Sequence, residues 1–251
     1  RSRFLMPLYR DVGVVVRTHK FGESDRIVTF VTQDSGKVKA VAKGVRKSGS
    51  RFGSRLEPMS HVQLQLYRGR DLDIVNQVEL VETATAIRAD LDLTTDALAM
   101  CEMVDQLSHD RSPAPHLYRM LVGALRQLEL RRSGLVLPAL QLRLLATEGV
   151  GPVVEQCVSC GARSDLVAFD VRAGGVQCQA CRRGAAVTPA VLALLQAVLG
   201  GRVAEVLATP QHDPDAVQQF VRLARTLMEH HLERRIKSSS LFVAPHSDTS
   251  H

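Results

Sequence analysis

The chain of 251 residues contains no tryptophan, and aromatic side chains make up only 4% of it. A binding surface on this protein must therefore rely mainly on charge and aliphatic groups. The sequence also has no apolar run near the roughly 18 residues that a membrane-spanning helix needs, and no secretory signal pattern. We therefore expect a soluble, cytoplasmic protein without a membrane partner.

The motifs of several common catalytic sites are also absent. The sequence has no G-x4-G-K-[ST] phosphate-binding loop, no H-E-x-x-H metal motif and no G-x-S-x-G nucleophile elbow. His230 and His231 are adjacent on a helical pattern, where neighbouring residues face different directions. The cluster of metal-binding carboxylates that a nuclease needs is missing as well. These absences predict that the protein is not an enzyme.

Positive charge is concentrated in the first third of the chain. The formal net charge is +6, and residues 1–80 contain 15 Lys and Arg against 8 Asp and Glu, whereas residues 81–251 contain 17 against 18. A positive electrostatic field confined to one module favours a polyanionic partner. Nucleic acid is the preferred candidate, and an anionic membrane surface is the second. The alternative is a basic, solvated face that binds no partner.

The first 82 residues predict a small β-barrel. Alternating apolar residues, β-branched runs and a turn at residues 34–36 indicate strands. We place five of them, over residues 12–16, 27–32, 37–42, 61–67 and 72–80. Five short strands that close on themselves are typical of the OB-fold, which binds oligonucleotides.

Beyond Glu82 the pattern becomes helical and rich in Ala and Leu. Capping residues and prolines predict five helices: from a Thr94-Thr95-Asp96 cap to about Ser108, from Pro113 and Pro115 to about Arg132, over 135–147, over 188–199, and from Asp213-Pro214 to about Ile236. The predicted fold is therefore α+β and multidomain. It consists of an OB-fold barrel (1–82), a helical domain (83–150 and 188–237), an inserted four-cysteine module (151–187) and a flexible tail (238–251).

Four of the five cysteines predict a metal site. They form Cys157-x2-Cys160 and Cys178-x2-Cys181, with 17 residues between the pairs, which matches the spacing of structural zinc sites. Four thiolates satisfy a tetrahedral Zn²⁺ completely and leave no open position for catalysis. The alternatives are two disulfides, which are rare in the cytosol, or four unligated thiols. We predict one structural zinc ion.

The surroundings of the cysteines fit the same interpretation. Gly161 and Gly184 follow the two pairs, where tight turns are expected, and residues 166–177 alternate like a small hairpin. Cys101 lies in an apolar helical stretch and is predicted to be a buried core thiol.

A basic loop connects the predicted third and fourth strands. Residues 43–55 carry five cations and no acid, interspersed with Gly and Ser. Such a loop can adapt its cations and backbone N–H groups to a sugar–phosphate chain. Phe52 within it offers a flat surface for base stacking. The alternative is a flexible, solvated charged loop.

These motifs are similar to those of the RecO family of recombination mediators. The resemblance rests on residues 12–17 and 22–28, on Gly36-Lys37 and residues 42–46, and on segments 50–53, 56–58, 66–70 and 236–238. The cysteine insert resembles the zinc-bearing branch of that family. The Arg-rich, Lys-poor composition is typical of a high-GC bacterium such as an actinobacterium.

The resemblance implies a DNA-binding mediator associated with the nucleoid. It implies binding to single- and double-stranded DNA, annealing of complementary strands without ATP, and action with RecR. It also implies contact with the C-terminal tail of single-stranded-DNA-binding protein (SSB) and help in loading RecA onto SSB-coated DNA in gap repair. By charge and motif we assign DNA contacts to Lys37, Lys39, Lys43, Arg46, Lys47, Arg51, Phe52 and Arg55.

Two further assignments are weaker. Arg68 and Arg70 are secondary candidates for DNA contacts. An acidic tail with apolar residues at its end requires a hydrophobic groove with cations nearby. We predict that groove in the helical domain, with edge cations among Arg126, Arg131, Arg132 and Arg143.

The alternative function is a zinc-ribbon regulator of transcription or translation that recognises specific duplex nucleic acid. Such a protein needs a helix that enters a groove and carries base-reading side chains. The predicted zinc insert lacks a long helix, which disfavours this interpretation.

Overall fold

A computed structural model describes residues 7–45 and 52–241 of the chain. It divides into two compact units, Arg1–Leu140 and Gln141–His251.

Five strands form a closed barrel in the first unit. They are β1 (Leu8–Phe21), β2 (Asp25–Thr32), β3 (Lys37–Ala42), β4 (His61–Tyr67) and β5 (Asp73–Glu82). Neighbouring strands follow the order β1-β2-β3-β5-β4, and pairing of β1 with β4 closes the barrel. Strands β3 and β5 run parallel, whereas the other pairs are antiparallel. This five-stranded barrel confirms the predicted OB-like fold.

The barrel core follows the alternation of the strands. In β4, Val62, Leu64 and Leu66 all point into the core cluster. Strand β1 is buried on both faces: Val15 belongs to this cluster, whereas Val14 is equally buried against the helices that cover the outside of the strand.

The turn between β2 and β3 is held in place by two groups. The Asp11 carboxylate accepts hydrogen bonds from the backbone N–H groups of Ser35 (3.0 Å) and Asp34 (3.2 Å). Gly36 has φ of +73°, and a Cβ built there would lie 1.9 Å from the carbonyl oxygen of Ser112. Only glycine fits both this conformation and this close approach, so the predicted tight turn is confirmed.

Three helices complete the first unit: α1 (Thr85–Arg88), α2 (Leu91–Leu107) and α3 (Pro115–Arg131). Helix α2 begins earlier than predicted, because the side chain of Asp90 accepts hydrogen bonds from two backbone N–H groups of the first turn and so caps the helix before Thr94. Helices α2 and α3 pack on β1. The unit therefore extends beyond the barrel boundary expected at residue 82.

Helix α4 (Val136–Thr147) contains the division between the units. The second unit continues with β6 (Leu166–Asp170), β7 (Gly175–Cys178), β8 (Ala185–Ala186), α5 (Pro189–Leu199), α6 (Val203–Ala208) and α7 (Pro214–Leu241). The short α1 and α6 have no counterpart among the predicted helices.

Helices α5 and α7 begin where their caps predict. The Thr188 hydroxyl accepts from the N–H of Val191 before α5, and the Asp213 carboxylate accepts from the N–H of Asp215 before α7. Helix α7 continues to Leu241, so the expected start of the tail at residue 238 lies within the helix. Residues 242–251 lie outside the described residues. No helix in the described ranges is long and apolar enough to cross a membrane.

Candidate nucleic-acid interface and metal centre

The outer face of β1, β2 and β3 carries several cations in register. Arg17 of β1 lies opposite Thr29 of β2, which in turn lies opposite Lys39 of β3, and Lys37 lies opposite Val31. Residues that are directly opposite on adjacent strands share a face of the sheet. The outer face of strands 2 and 3 is also the surface on which OB-folds bind oligonucleotides. Two predicted DNA contacts, Lys37 and Lys39, lie on this outer face, where the neighbouring Thr29 and Val31 of β2 are buried.

Two aspartates contact these cations. Asp105 lies 2.8 Å from Arg17 and 3.2 Å from Lys37, and its backbone carbonyl accepts a further hydrogen bond from Lys37 at 2.7 Å. Asp110 lies 2.7 Å from Lys39. The side chain of Lys37 is only 15% exposed, against 43% for Lys39. A phosphate could reach Lys37 only by displacing Asp105, so Lys39 is the better placed of the two predicted contacts.

No sequence pattern indicates the role of Asp105. This carboxylate lies 68 positions from Lys37 and is nine-tenths buried where the end of α2 meets the barrel. A pairing over that separation leaves no spacing pattern in the chain. The pair fastens α2 to the outer face of β3.

The basic loop begins and ends on exposed residues. Lys43 is exposed at the end of β3, and Arg55 is exposed in a 3-10 helix spanning Gly53–Leu56. The N–H of Gly44 donates to the Asp25 carboxylate at 2.7 Å, which ties the start of the loop to the β1–β2 turn. Three predicted contacts, Arg46, Lys47 and Arg51, lie outside the described residues. The assignment of the loop cations to DNA stays a prediction.

The prediction for Phe52 is wrong. Its side chain is 2% exposed and belongs to the barrel core cluster together with Leu56, so it has no free face for a nucleobase. Its Gly- and Ser-rich surroundings indicated a loop, but the 3-10 turn directs both apolar side chains into the barrel. Burial removes the large apolar surface of an aromatic ring from water, which favours this position over an exposed one.

The two weaker candidates differ in their surroundings. The guanidinium of Arg68 lies over the ring of Tyr9, 4.5 Å from its centroid, which is within the range of a cation–π contact. Arg70 is exposed in the turn between β4 and β5.

The four predicted metal ligands converge. The Sγ atoms of Cys157, Cys160, Cys178 and Cys181 all lie within 4.8 Å of one another, and those of Cys160 and Cys178 are 3.7 Å apart. A tetrahedral zinc with Zn–S bonds of about 2.3 Å separates its sulfurs by about 3.8 Å. All five cysteines of the chain are free thiols. The predicted cluster is confirmed, and the pairing into disulfides is not observed.

Local structure brings the two cysteine pairs together. The predicted hairpin is present as β6 and β7, and it places Cys178 opposite Leu166. The first pair encloses a turn in which the N–H of Gly161 donates to the carbonyl of Cys157 at 2.8 Å, with Gly161 at φ of +78°. Near the second pair, a Cβ on Gly184 would lie 2.0 Å from the carbonyl oxygen of Phe169. Both glycines are required by the fold of the module.

The chemistry of the thiols fits a divalent cation. A backbone hydrogen bond from Cys178 lowers the pKa of the Cys157 thiol to about 6, whereas the side-chain hydrogen bond with Cys160 raises the pKa of Cys181 to about 12. The bare cluster therefore favours one thiolate and opposes further ionisation. A bound metal reverses this preference, because coordination deprotonates a thiol. The four residues thus fit a Zn²⁺ ion with all four as ligands.

An apolar cavity of about 530 Å³ lies within the first unit, where β5 meets α1 and α3. Its aliphatic lining includes Leu80, Val81 and Leu125, and Arg126 also lines it. Of the four arginines predicted at groove edges, Arg126 is the one that lines this cavity. It lies on the same unit as the barrel, rather than in a separate helical domain as predicted.

A chain of polar contacts fixes Arg126. Its Nε donates to both carboxylate oxygens of Glu82, at 2.8 and 3.0 Å. Glu82 also contacts Nδ1 of His61 at 3.2 Å, and Nε2 of His61 lies 2.9 Å from the hydroxyl of Tyr118. Burial lowers the pKa of His61 below its usual value. The cavity thus combines an aliphatic wall with a paired, partly exposed cation.

Comparison with family models identifies the chain. The model of the N-terminal domain of recombination protein O matches residues 6–84, and the model of its C-terminal domain matches residues 88–240. The first match covers the barrel, and the second covers α2 through nearly all of α7, including the four cysteines. Together they extend over almost the whole chain. The chain belongs to the RecO family of DNA repair and recombination proteins.

Proposed function

We propose that this RecO protein anneals complementary single strands without ATP and helps load RecA onto SSB-coated DNA in gap repair. The observation that carries the proposal is the OB-like barrel, whose outer face and adjoining loop hold the cations of the most basic part of the chain. Family membership supports a role in repair and recombination.

Annealing on such a surface needs no covalent step. Two strands repel each other through their phosphates, and Lys and Arg side chains reduce that repulsion while releasing condensed counterions. The contacts must leave the base edges free to pair, which favours backbone contacts over base readout. We therefore propose a binding protein that is not an enzyme, with both single- and double-stranded DNA as ligands.

We propose zinc as the ion of the four-cysteine site, present as one structural ion per chain. Soft thiolate ligands select zinc among the common divalent cations, and four of them leave no position for substrate. Residues 151–187 contain strands and turns but no helix. A groove-entering helix, which the alternative of a zinc-ribbon regulator requires, is thus missing from the module.

We further propose that the protein acts in the cytoplasm at the nucleoid, with RecR and the SSB tail as direct partners and RecA as an indirect one. The tail would bind at the apolar cavity beside Arg126. Its apolar end would contact the aliphatic wall, and an acidic group would replace Glu82 at the Arg126 guanidinium. The side chain of Arg126 is 52% exposed, so a partner can reach it.

Replacing Arg126 with Ala should weaken binding of an SSB tail peptide about 10- to 140-fold, because a hydrogen bond to a charged group contributes about 1.5–3 kcal/mol. Fluorescence anisotropy with a labelled peptide measures this change. Arg131→Ala is the control, since Arg131 is exposed on the same helix but does not line the cavity. Equal peptide affinities of wild type and Arg126→Ala would place the tail elsewhere.

The basic loop gives the test of DNA binding. In the triple variant Arg46→Ala, Lys47→Ala, Arg51→Ala, the slope of log K against log salt should fall by about 2, at roughly 0.7 per lost single-strand phosphate contact. The affinity for single-stranded DNA should fall similarly for all DNA sequences, and strand annealing should become slower. Anisotropy titrations between 50 and 200 mM salt and a strand-annealing assay measure both effects.

The matched control removes three exposed cations elsewhere. Arg119, Arg131 and Arg132 are exposed on or next to α3, so their triple Ala variant has the same net charge but an intact loop. It should keep the salt slope and annealing rate of the wild type. If the loop variant folds and anneals like the wild type, the loop is only a solvated face and the DNA site lies elsewhere.

A further inference from the structure

The tip of the β1–β2 hairpin exposes an aromatic ring. Phe21, the last residue of β1, is 45% exposed. The other phenylalanines in the described ranges are all buried, at 2% exposure or less: Phe30, Phe52, Phe169 and Phe220. Leaving so large an apolar side chain in water forgoes the free energy of its burial. Phe21 is therefore the described phenylalanine whose position the core does not explain.

Strand register places Phe21 on the cation-bearing face of the barrel. Arg17 and Phe21 are four residues apart on β1 and lie opposite Thr29 and Asp25 of β2. Since side chains alternate along a strand, residues four apart share one face, at a separation of about 13 Å. The ring thus lies at the far end of the row that begins with Arg17 and Lys39.

The hairpin tip also carries an exposed lysine. Lys20 lies directly opposite Arg26 across the strand pair, and like charges in this position repel. Arg26 is paired with Glu57 at 2.7 Å, whereas Lys20 is exposed and forms no ion pair within the described part of the chain. An added anion near Lys20 would relieve the repulsion.

Two acids lie near the ring, Glu23 in the turn and Asp25 at the start of β2, and neither is free of partners. The Asp25 carboxylate, opposite Phe21, accepts hydrogen bonds from the N–H of Gly44 at 2.7 Å and the hydroxyl of Ser24 at 3.1 Å. The bond to Gly44 brings the start of the basic loop, with exposed Lys43, to the hairpin tip. The loop therefore brings a cation close to the exposed ring, while Lys20, the neighbour of Phe21 in the chain, projects from the other face of β1.

We propose that Phe21 is the stacking platform for an unpaired nucleobase of the bound single strand. This inference rests on the proposed DNA-binding function and adds a base contact to it. Every base has a π-face, so stacking holds any sequence while the base edges stay free. The loop between the first two strands is one of the two that OB-folds use for oligonucleotides. Phe21 thus takes the role that the sequence assigned to Phe52.

The absence of tryptophan makes a direct test possible. Phe21→Trp creates a protein with a single tryptophan at the proposed platform, and stacking of a base on the indole quenches its fluorescence. Leu98→Trp is the matched control, since Leu98 is 42% exposed and lies on α2, outside the β1–β2 hairpin. A mixed-sequence oligonucleotide should quench Phe21→Trp strongly and leave Leu98→Trp nearly unchanged.

Affinity measurements separate stacking from charge. Phe21→Ala should weaken binding of the mixed-sequence strand about 5- to 140-fold, which corresponds to about 1–3 kcal/mol per stacked base at 1.4 kcal/mol per tenfold change. Phe21→Tyr should restore most of the affinity. An oligonucleotide with abasic sites throughout has the same phosphates but no bases, so it should bind the wild type and Phe21→Ala equally. The salt slope of Phe21→Ala should equal that of the wild type.

The outcomes distinguish this inference from the proposed function. Suppose that the wild type binds single strands and that the loop variant shows a smaller salt slope. If Phe21→Ala then binds like the wild type and the fluorescence of Phe21→Trp is not quenched, the platform is wrong and DNA binding stands. If Phe21→Ala lost the same affinity for abasic strands as for normal strands, the platform would also be wrong. If the wild type binds no strand at all, the proposed function fails, and the platform fails with it.

Discussion

Replacing Cys157 with Ser should abolish metal binding and unfold the module of residues 151–187 while the barrel stays folded. Binding of Zn²⁺ to small structural sites supplies about 10–16 kcal/mol, and in such modules this is the free energy of folding itself. Segments below about 40 residues rarely fold without a metal, disulfides or a partner. No disulfide joins the cysteines of this module, so we expect the proposed ion to supply most of its stability.

Two measurements check this result. Elemental analysis of fresh, reduced wild type should give about one zinc per chain, as the four-thiolate ligand set predicts, and the variant should give almost none. Amide hydrogen exchange should become fast in residues 151–187 of the variant and stay slow in β1–β5, because the barrel has its own core.

Cys101→Ser is the control for this variant. Cys101 is fully buried against the barrel and lies outside the cluster, so its replacement should cost stability but retain the full zinc content. Wild-type protein without zinc, or with the four cysteines joined as disulfides, would contradict the metal assignment.

The barrel and the cysteine cluster could be predicted because their signals are local. Strand β4 alternates in the sequence as it does in the core, and each cysteine pair occupies one turn. Helix starts were correct where a single capping residue precedes a proline, as at Thr188 and Asp213. They failed at α2, where Asp90 and Thr94 both fit the cap pattern and the earlier residue forms it.

The parts that could not be predicted depend on contacts between distant segments. The neutralisation of Lys37 requires Asp105, which reaches it only after α2 has packed on the barrel. The exposure of one aromatic residue was also decided by tertiary structure. Phe52 follows a polar loop, so the local pattern favours its exposure, but the ring packs in the barrel core.

Replacing Phe52 with Ala should therefore destabilise the barrel by about 3–5 kcal/mol, because it removes a buried ring and leaves a cavity in the core. The ring is 2% exposed within the core cluster. Native domains have only about 5–15 kcal/mol of stability, so this loss should lower the midpoint of urea unfolding markedly. The molecules that remain folded should bind single strands with wild-type affinity, since no base contacts Phe52.

Phe21→Ala provides the matched comparison, because it truncates the same side chain at a position that is 45% exposed. Its unfolding midpoint should stay close to that of the wild type, while its affinity for single strands falls. The two variants should thus show opposite patterns, measured by urea unfolding and by anisotropy under conditions where both are folded. If Phe52→Ala instead kept its unfolding midpoint and lost DNA affinity, Phe52 would be a base contact after all.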